Sequence, residues 1–119
     1  MRLNRIDRLL AAVLDNTDAF IGALGADFGS RPAAATLATD LVGSPADIRY
    51  TRRNAGRWMR ARRVNPGLMR LAGVKAWIEP SPLGVVGVIA PWNVPLTLAV
   101  QPAVAALAAG NRVMLKMSE

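Results

Sequence analysis

The chain has 119 residues, enough for one small domain, and 52% of them are hydrophobic, which argues against an intrinsically disordered protein. It contains no cysteine and no histidine, so these residues supply no disulfide, no Cys/His metal site, no thiol nucleophile and no histidine base. The formal net charge is +7, from 15 basic and 8 acidic residues.

The N-terminal stretch predicts an amphipathic helix and not a targeting signal. Its apolar residues recur at helical spacing, namely Leu3, Ile6, Leu9, Leu10, Val13 and Leu14. The apolar run Leu9–Leu14 is too short for the hydrophobic region of a secretory signal, and Asp7 interrupts the stretch. Asp7, Asp15 and Asp18 also argue against a mitochondrial transit peptide. We therefore expect a cytoplasmic protein.

Two further helices are predicted before the chain becomes basic. Asp15 or Asn16 is suited to cap the second helix, and Gly29 is suited to end it. The apolar stripe of this helix consists of Phe20, Ile21, Leu24 and Phe28. Pro32–Val42 predicts a third helix, which Gly43-Ser44-Pro45 interrupts. Ser44 is suited to an N-cap, so we expect a kink or two helices meeting there.

The basic segment Ile48–Arg63 carries seven arginines, all within the fifteen residues 49–63. We interpret it as a basic helix whose buried face consists of Ile48, Thr51, Ala55, Trp58 and Met59. A basic helix with an aromatic residue can bind nucleic acid or an anionic membrane, which gives a binding module as the alternative function. No zinc-ligand spacing or RNA-binding motif accompanies the arginines, and their stems can cover apolar surface. We therefore expect neither a nucleic-acid nor a membrane partner.

The last part of the chain predicts one βαβ unit. Val74–Glu79 alternates apolar and charged residues, as in a half-exposed strand. Gly84–Ile89 is a continuous apolar run, typical of a strand covered on both faces. Leu96–Ala109 is an Ala/Leu-rich helix that Gly110-Asn111 ends, and Arg112–Lys116 is a second strand. Strands connected in this way are parallel, which predicts an α/β fold.

No residue between Pro80 and Asn111 is charged, so this stretch is long enough to cross a bilayer. Its prolines, together with Asn93 and Gln101, argue against a membrane span.

Asn93 is the best candidate for a functional side chain. It lies between Pro91 and Pro95, directly after the first strand of the βαβ unit. Ligands of open parallel sheets bind at the carboxyl ends of the strands. An Asn amide there can stabilise an oxyanion, but an Asn before Val94-Pro95 is also a good N-cap for the following helix. The spacing alone leaves both roles open.

The phrases PLGVVGVIAPWNVPL at 82–96 and ALAAGNRVMLKMSE at 106–119 resemble the aldehyde dehydrogenase superfamily. Asp15-Asn16, Ala26–Gly29 and Arg57–Met59 are similar to its coniferyl aldehyde dehydrogenase branch. The resemblance implies NAD(P)-dependent oxidation of an aldehyde, of the aromatic coniferyl type, to a carboxylic acid through a cysteine thiohemiacetal. It implies NAD as the cofactor, with NADP as the alternative.

The resemblance also assigns the site. It makes Asn93 the oxyanion donor. Lys116 and Glu119 match a Lys-Pro-Ser-Glu motif that contacts the adenosine ribose, with Met117 here in place of Pro. Val94 replaces the usual Tyr or Phe, which makes a smaller wall for the substrate tunnel. The implied cofactor-binding residues are Ile89, Ala90, Pro91, Trp92, Lys116, Ser118 and Glu119.

The family's catalytic Cys and general-base Glu lie downstream of the Lys-Pro-Ser-Glu motif. The chain therefore resembles the N-terminal portion of a longer enzyme, and we expect it to be inactive alone. The expected organisation is a helical part at 1–73, an interface strand at 74–81, and the incomplete start of a Rossmann-like NAD(P)-binding domain at 82–119. Val74, Ala76 and Ile78 would serve association into a homo-oligomer, either a dimer or a tetramer.

Overall fold

The computed structural model describes residues 1–118 and measures 67 × 25 × 22 Å. The described residues form α1 (Arg2–Asp15), α2 (Thr17–Phe28), α3 (Ala33–Thr36), α4 (Gly43–Trp58), β1 (Arg62–Val64), β2 (Ala76–Ile78), β3 (Val85–Ile89), α5 (Pro95–Ala109) and β4 (Arg112–Lys116). A π-helix (Leu37–Leu41) joins α3 to α4, and a 3-10 helix (Gly67–Ala72) lies between β1 and β2.

The hydrophobic core lies among α1, α4 and α5. Its buried members are Ile6, Val13, Leu41, Ile48, Ala55, Leu96, Val100, Val104 and Ala108. Leu9 and Leu10 of α1 and Phe20 and Ile21 of α2 pack against this cluster, half-buried. The predicted helical stripes are therefore confirmed in part, because burial of one face drives the helices together. Leu3 and Leu14, which were also predicted for the stripe of α1, are each 42% exposed.

The predicted cap of α2 is confirmed in position but not in its hydrogen bond. Asn16 is its N-cap residue, but no side chain accepts an N–H there. Instead Asn16 Nδ2 donates to the carbonyl of Ala12, at the end of α1, over 2.8 Å. Gly29 ends α2 as predicted, with a φ of 71° that favours glycine.

The interruption at Gly43-Ser44-Pro45 is a widened helical turn, not a break. Thr36, Leu37 and Val42 keep right-handed helical backbone, and the Val42 N–H donates to Leu37 O over 2.8 Å, an i→i+5 bond. We attribute the π-helix to Pro45, whose ring lacks an N–H and crowds the preceding turn. The predicted N-cap role of Ser44 is wrong, because its hydroxyl donates back to Asp40 O at 2.6 Å.

The basic segment is not one helix. α4 ends at Trp58, and Arg62 and Arg63 lie in β1. β1 pairs antiparallel with β2, with Arg62 opposite Ile78, and this long-range pairing overrides the local helical pattern. The predicted buried face is confirmed for Ile48, Thr51 and Ala55.

The rest of the predicted buried face differs. Met59 is half-buried, while Trp58 is 44% exposed, with its ring 5.8 Å from that of Tyr50. Both aromatic rings therefore lie on the outer face of α4.

Residues 62–78 form an arm that is largely exposed. β2 is the central part of the strand predicted at Val74–Glu79. The large apolar side chains exposed on the arm are Leu68, Met69, Leu71, Val74, Trp77 and Ile78.

The predicted βαβ unit is confirmed. β3 and β4 pair in parallel, from Val85 opposite Arg112 to Ile89 opposite Lys116, with α5 between them in the chain. Gly110 ends α5 with a φ of 98°, and the Asn111 N–H donates to Ala106 O at 2.9 Å. The sheet has two strands over the described residues.

The expectation that β3 is covered on both faces is wrong for this chain. Val88 is buried, but Val85 is 60% and Ile89 83% exposed. Within residues 1–118, β3 has one neighbouring strand, and α5 lies against it.

In the described part of the chain no single helix is long and apolar enough to span a membrane. Among the described helices, α1 and α2, which are bent by 65° at their junction, pass such a test as a pair, by length and composition.

Candidate functional site

The candidate site lies at the carboxyl ends of β3 and β4. Ile89 is opposite Lys116 in the parallel register, and the Ala90 N–H donates to Lys116 O at 2.9 Å. This bond continues the sheet one residue beyond β3 and buries Ala90. Three of the predicted cofactor-binding residues are therefore adjacent at one edge of the sheet.

Asn93 lies in the loop that follows this edge. Pro91, Trp92 and Asn93 are exposed, and Val94 is half-buried. The Asn93 side chain makes no hydrogen bond within residues 1–118. Its amide group is therefore available to a ligand at the carboxyl end of β3.

The capping alternative for Asn93 is wrong. The N-cap residue of α5 is Val94, with Pro95 at the first helical position, and no side chain of the N-cap accepts a hydrogen bond. Asp40 takes that place from another helix: its Oδ1 accepts the N–H of Leu96 at 3.1 Å and of Thr97 at 3.2 Å. These donors lack partners within α5, as in any first helical turn.

Asp40 is buried with 0% exposure, and its second oxygen is also occupied. Oδ2 accepts a hydrogen bond from Arg31 Nη2 at 2.7 Å and from Thr39 Oγ1 at 2.8 Å. Arg31 lies over the ring of Phe28, 4.6 Å from its centroid. No motif or spacing in the sequence pointed to Asp40 as a functional residue. One feature of the sequence could have identified it. Asp40 is the sole charged residue of 32–43, and a lone charge in an apolar helix needs a partner if it is buried.

The residues after β4 lie beside the start of α5. Lys116 Nζ donates to Met117 O at 3.0 Å. Met117 and Ser118 line a cleft of about 210 Å³ with the start of α5 and one side of α2, and its other lining residues are Phe20, Ala23, Leu24, Asp27, Pro95 and Leu96. The predicted ribose-binding residue Glu119 lies outside the described residues.

A larger cleft, of about 540 Å³, lies in the arm. Arg63, Arg70 and Lys75 are among its lining residues, and none of the residues at 89–95 is. Its size alone does not make it the functional site, because the exposed Asn93 amide and the carboxyl ends of β3 and β4 lie elsewhere. Among residues 1–118, no three acidic side chains lie close enough together to hold a metal ion.

The profile of the aldehyde dehydrogenase family matches residues 1–119, the whole chain. The chain belongs to the aldehyde dehydrogenase family. The parallel βαβ unit is thus part of an aldehyde dehydrogenase fold.

Relatives within the family cover the chain from end to end. A coniferyl aldehyde dehydrogenase of a Pseudomonas species is 44% identical over 119 residues, which are 100% of this chain and 24% of the relative. Aldehyde dehydrogenase family 3 member A2 of Macaca fascicularis is 32% identical over 99% of this chain and 24% of its own length. The chain therefore spans about a quarter of each of these aldehyde dehydrogenases.

A solved structure supports the fold. Staphylococcus aureus AldH in its substrate-bound state matches 99% of this chain and 25% of its own chain, with a TM-score of 0.90 and 28% identity. The predicted fold class and the predicted resemblance are both confirmed. The roles of Asn93, Lys116, Ser118 and Glu119 in an aldehyde dehydrogenase site stay predictions.

Proposed function

We propose that this chain is the N-terminal portion of an NAD(P)-dependent aldehyde dehydrogenase that oxidises an aromatic, coniferyl-type aldehyde to the carboxylic acid. The observation that carries the proposal is the exposed Asn93 side chain, which does not cap α5 and lies in the loop that follows the carboxyl end of β3. The substrate class rests on the 44% identity to the coniferyl aldehyde dehydrogenase.

The proposed role of Asn93 follows from the charge that forms during the reaction. A thiolate that attacks an aldehyde forms a thiohemiacetal, and the carbonyl oxygen becomes an oxyanion. A preorganised amide N–H lowers the energy of that charge. Asn93 Nδ2 supplies the donor, whereas the thiol must come from outside these residues, because the 119 residues contain no cysteine. We call the protein that combines this chain with that thiol the complete enzyme.

The carboxyl edge of the sheet fits a dinucleotide. The ammonium group of Lys116 can donate to ribose hydroxyls, and the predicted role of Glu119 is to accept from one. Ile89, 83% exposed, offers apolar surface beside Lys116. NAD(P), when bound, accepts the hydride from the substrate carbon. Ile89, Ala90, Pro91, Trp92, Lys116 and Ser118 would hold it at this edge.

We further propose a cytoplasmic homo-oligomer, a dimer or tetramer, without a nucleic-acid or membrane partner. The exposed apolar side chains of the arm support association, because large exposed apolar patches mark interaction sites. The family resemblance assigns the interface to Val74, Ala76 and Ile78.

The test is aldehyde-dependent NADH formation by the complete enzyme, with coniferyl aldehyde compared with aliphatic aldehydes. Asn93→Ala is expected to lower kcat by about 10²–10³ with little change in the KM for NAD, because one oxyanion donor is lost. Asn4→Ala is the matched control, since Asn4 is exposed on α1. Equal kcat values for Asn93→Ala and the control would reject the oxyanion role.

A further inference from the structure

We propose that Asp40 is a positioning residue of the reaction, which holds Asn93 in place by capping α5 from a neighbouring helix. The inference rests on the proposed function of Asn93. Asp40 lies 53 positions before Asn93 in the chain. Its proposed effect on the reaction is indirect, because its carboxylate does not touch the reacting atoms.

The contact between Asp40 and α5 has the geometry of a helix cap. The Asp40 Oδ1 atom accepts two N–H groups, of Leu96 and Thr97, that the helix itself leaves without acceptors. A carboxylate also interacts favourably with the positive end of the helix dipole. Val94, the residue at the N-cap, has no side-chain acceptor, so Asp40 supplies this function from outside α5.

The loop that carries Asn93 is fixed at both ends. Before it, the Ala90 N–H donates to Lys116 O at 2.9 Å, which ties the loop to β4. After it, Asp40 ties Leu96 and Thr97 to the π-helix. Asn93 lies three residues from Ala90 and three from Leu96, so a shift of the start of α5 would move its amide. An oxyanion donor tolerates little displacement, because about 1 Å of misplacement can cost about 10² in rate.

Asp40 can serve as an anchor because it is itself held firmly. Its Oδ2 is bound by Arg31 and Thr39, and its backbone carbonyl accepts the hydroxyls of Ser44 at 2.6 Å and Thr97 at 3.1 Å. The two side-chain oxygens have separate tasks: Oδ1 contacts α5, whereas Oδ2 contacts the residues around Arg31. Substitution can therefore separate capping from charge pairing.

The competing explanation is that Asp40 only stabilises the fold as the ion-pair partner of Arg31, whose side chain is 11% exposed. Loss of one member of a buried pair leaves an uncompensated charge and destabilises the protein, whatever the remaining member caps. Both charges must therefore be removed together. Arg31→Met/Asp40→Asn removes both charges and keeps an Oδ1 acceptor, while Arg31→Met/Asp40→Ala removes both charges and the acceptor.

The decisive measurement is the kinetics of these two double variants in the complete enzyme. We expect Arg31→Met/Asp40→Ala to lose about 10-fold to 10² in kcat at an unchanged KM for NAD, and the Asn variant to recover most of that loss. In an Asn93→Ala background the two double variants should have the same kcat, because the donor that Asp40 positions is absent. Equal kcat for the two variants in the parent background, or the same difference in both backgrounds, would overturn the proposal.

Hydrogen exchange tests the cap without using activity. In the complete enzyme, mass spectrometry of peptides that cover residues 91–98 should show faster exchange at Leu96 and Thr97 in the Ala variant than in the Asn variant. Equal exchange would overturn the capping role even if the enzyme oxidises aldehydes. If the parent protein oxidises no aldehyde, the proposed function fails, and the exchange result still decides whether Asp40 holds α5.

Discussion

The Oδ1 atom of Asn111 accepts the backbone N–H of Gly84 at 2.9 Å, although 27 residues separate them. Asn111 is buried and directly precedes β4, while Gly84 directly precedes β3. The Arg112 N–H donates to Gly84 O at 2.8 Å, so both polar backbone groups of Gly84 are bound at this end of the sheet. Asn111, which the sequence predicts as part of the end of α5, thus also aligns the two parallel strands.

Asn111→Ala should lower the free energy of unfolding by about 0.5–1.5 kcal/mol, because the hydrogen bond from the Gly84 N–H to the Asn111 side chain is lost. Urea unfolding of the complete enzyme measures this change. Asn4→Ala, an exposed substitution of the same kind, should stay within about 0.5 kcal/mol of the parent. An unchanged midpoint for Asn111→Ala would show that water replaces the lost contact.

The elements that the sequence predicted well are those with long, strong periodicity. α1 and the βαβ unit follow from their apolar patterns, and β4 has the predicted bounds Arg112–Lys116. β1 was missed because its three residues become a strand only by pairing with β2, which lies beyond a 3-10 helix. Local propensity carries no information about such a distant partner.

The sequence could propose Asn93 as a site residue, but it could not show which residue caps α5. The position of Asn93 after a strand is a local property, so the sequence located it. The cap that excludes the capping role of Asn93 comes from Asp40, which is 56 residues from Leu96. The spacing of residues within Pro91–Pro95 could not reveal that the N–H groups at the start of α5 already have an acceptor in Asp40.

The ion pair of Asp7 and Arg52 predicts a pH dependence of stability. Hydrogen bonds from Arg52 hold the pKa of the Asp7 carboxyl below its ordinary value of 3.8. A depressed pKa means that the folded state binds the proton more weakly, so the pair stabilises the fold above pH 3.8 and is lost as pH falls through the lower folded value. Both side chains are exposed, so the effect is small and weakens with salt.

Asp7→Asn should therefore melt slightly below the parent at about pH 7 and low salt, with the difference vanishing well below pH 3.8. Thermal unfolding of the complete enzyme over a pH series measures it. Asp15→Asn is the control, because Asp15 has no ion pair within residues 1–118. A difference that persists or grows in acid would contradict the assignment to this pair.

The purified 119-residue chain should form no NADH from aldehyde and NAD. Its sequence contains no cysteine, so it has no thiol for the proposed thiohemiacetal. The assay follows absorbance of NADH with coniferyl aldehyde, and the complete enzyme serves as the positive control. Aldehyde-dependent NADH above the buffer rate would require a different nucleophile on this chain.

The purified 119-residue chain should also self-associate or lack a cooperative melt. Val85 and Ile89 of β3 and Met114 of β4 are exposed, and strand edges with apolar side chains promote association. Light scattering after gel filtration measures the mass, and calorimetry measures the transition. Leu68→Glu/Leu71→Glu should reduce the association that the arm contributes, since both residues are highly exposed there. A soluble monomer with a sharp transition would contradict this prediction.

Cofactor preference in the complete enzyme is expected to depend on Glu119. A carboxylate that accepts from the ribose 2′-OH favours NAD and repels the 2′-phosphate of NADP. Lys116 acts in the opposite direction, since its ammonium group can pair with a phosphate. These opposed charges predict a moderate preference for NAD and not an exclusion of NADP.

Glu119→Gln keeps a hydrogen-bond acceptor but removes the negative charge, so it should raise kcat/KM for NADP and leave that for NAD largely intact. Met117 stands where the family motif has Pro, and it lines the cleft beside the start of α5 together with Ser118. If this turn carries Glu119 away from the ribose, the ratio of the two kcat/KM values will not change. Glu79→Gln makes the same change of charge directly after β2, and should leave both values at the parent level. A ratio that shifts with Glu119→Gln and not with Glu79→Gln places the carboxylate at the cofactor; equal ratios in all three proteins remove it from the site.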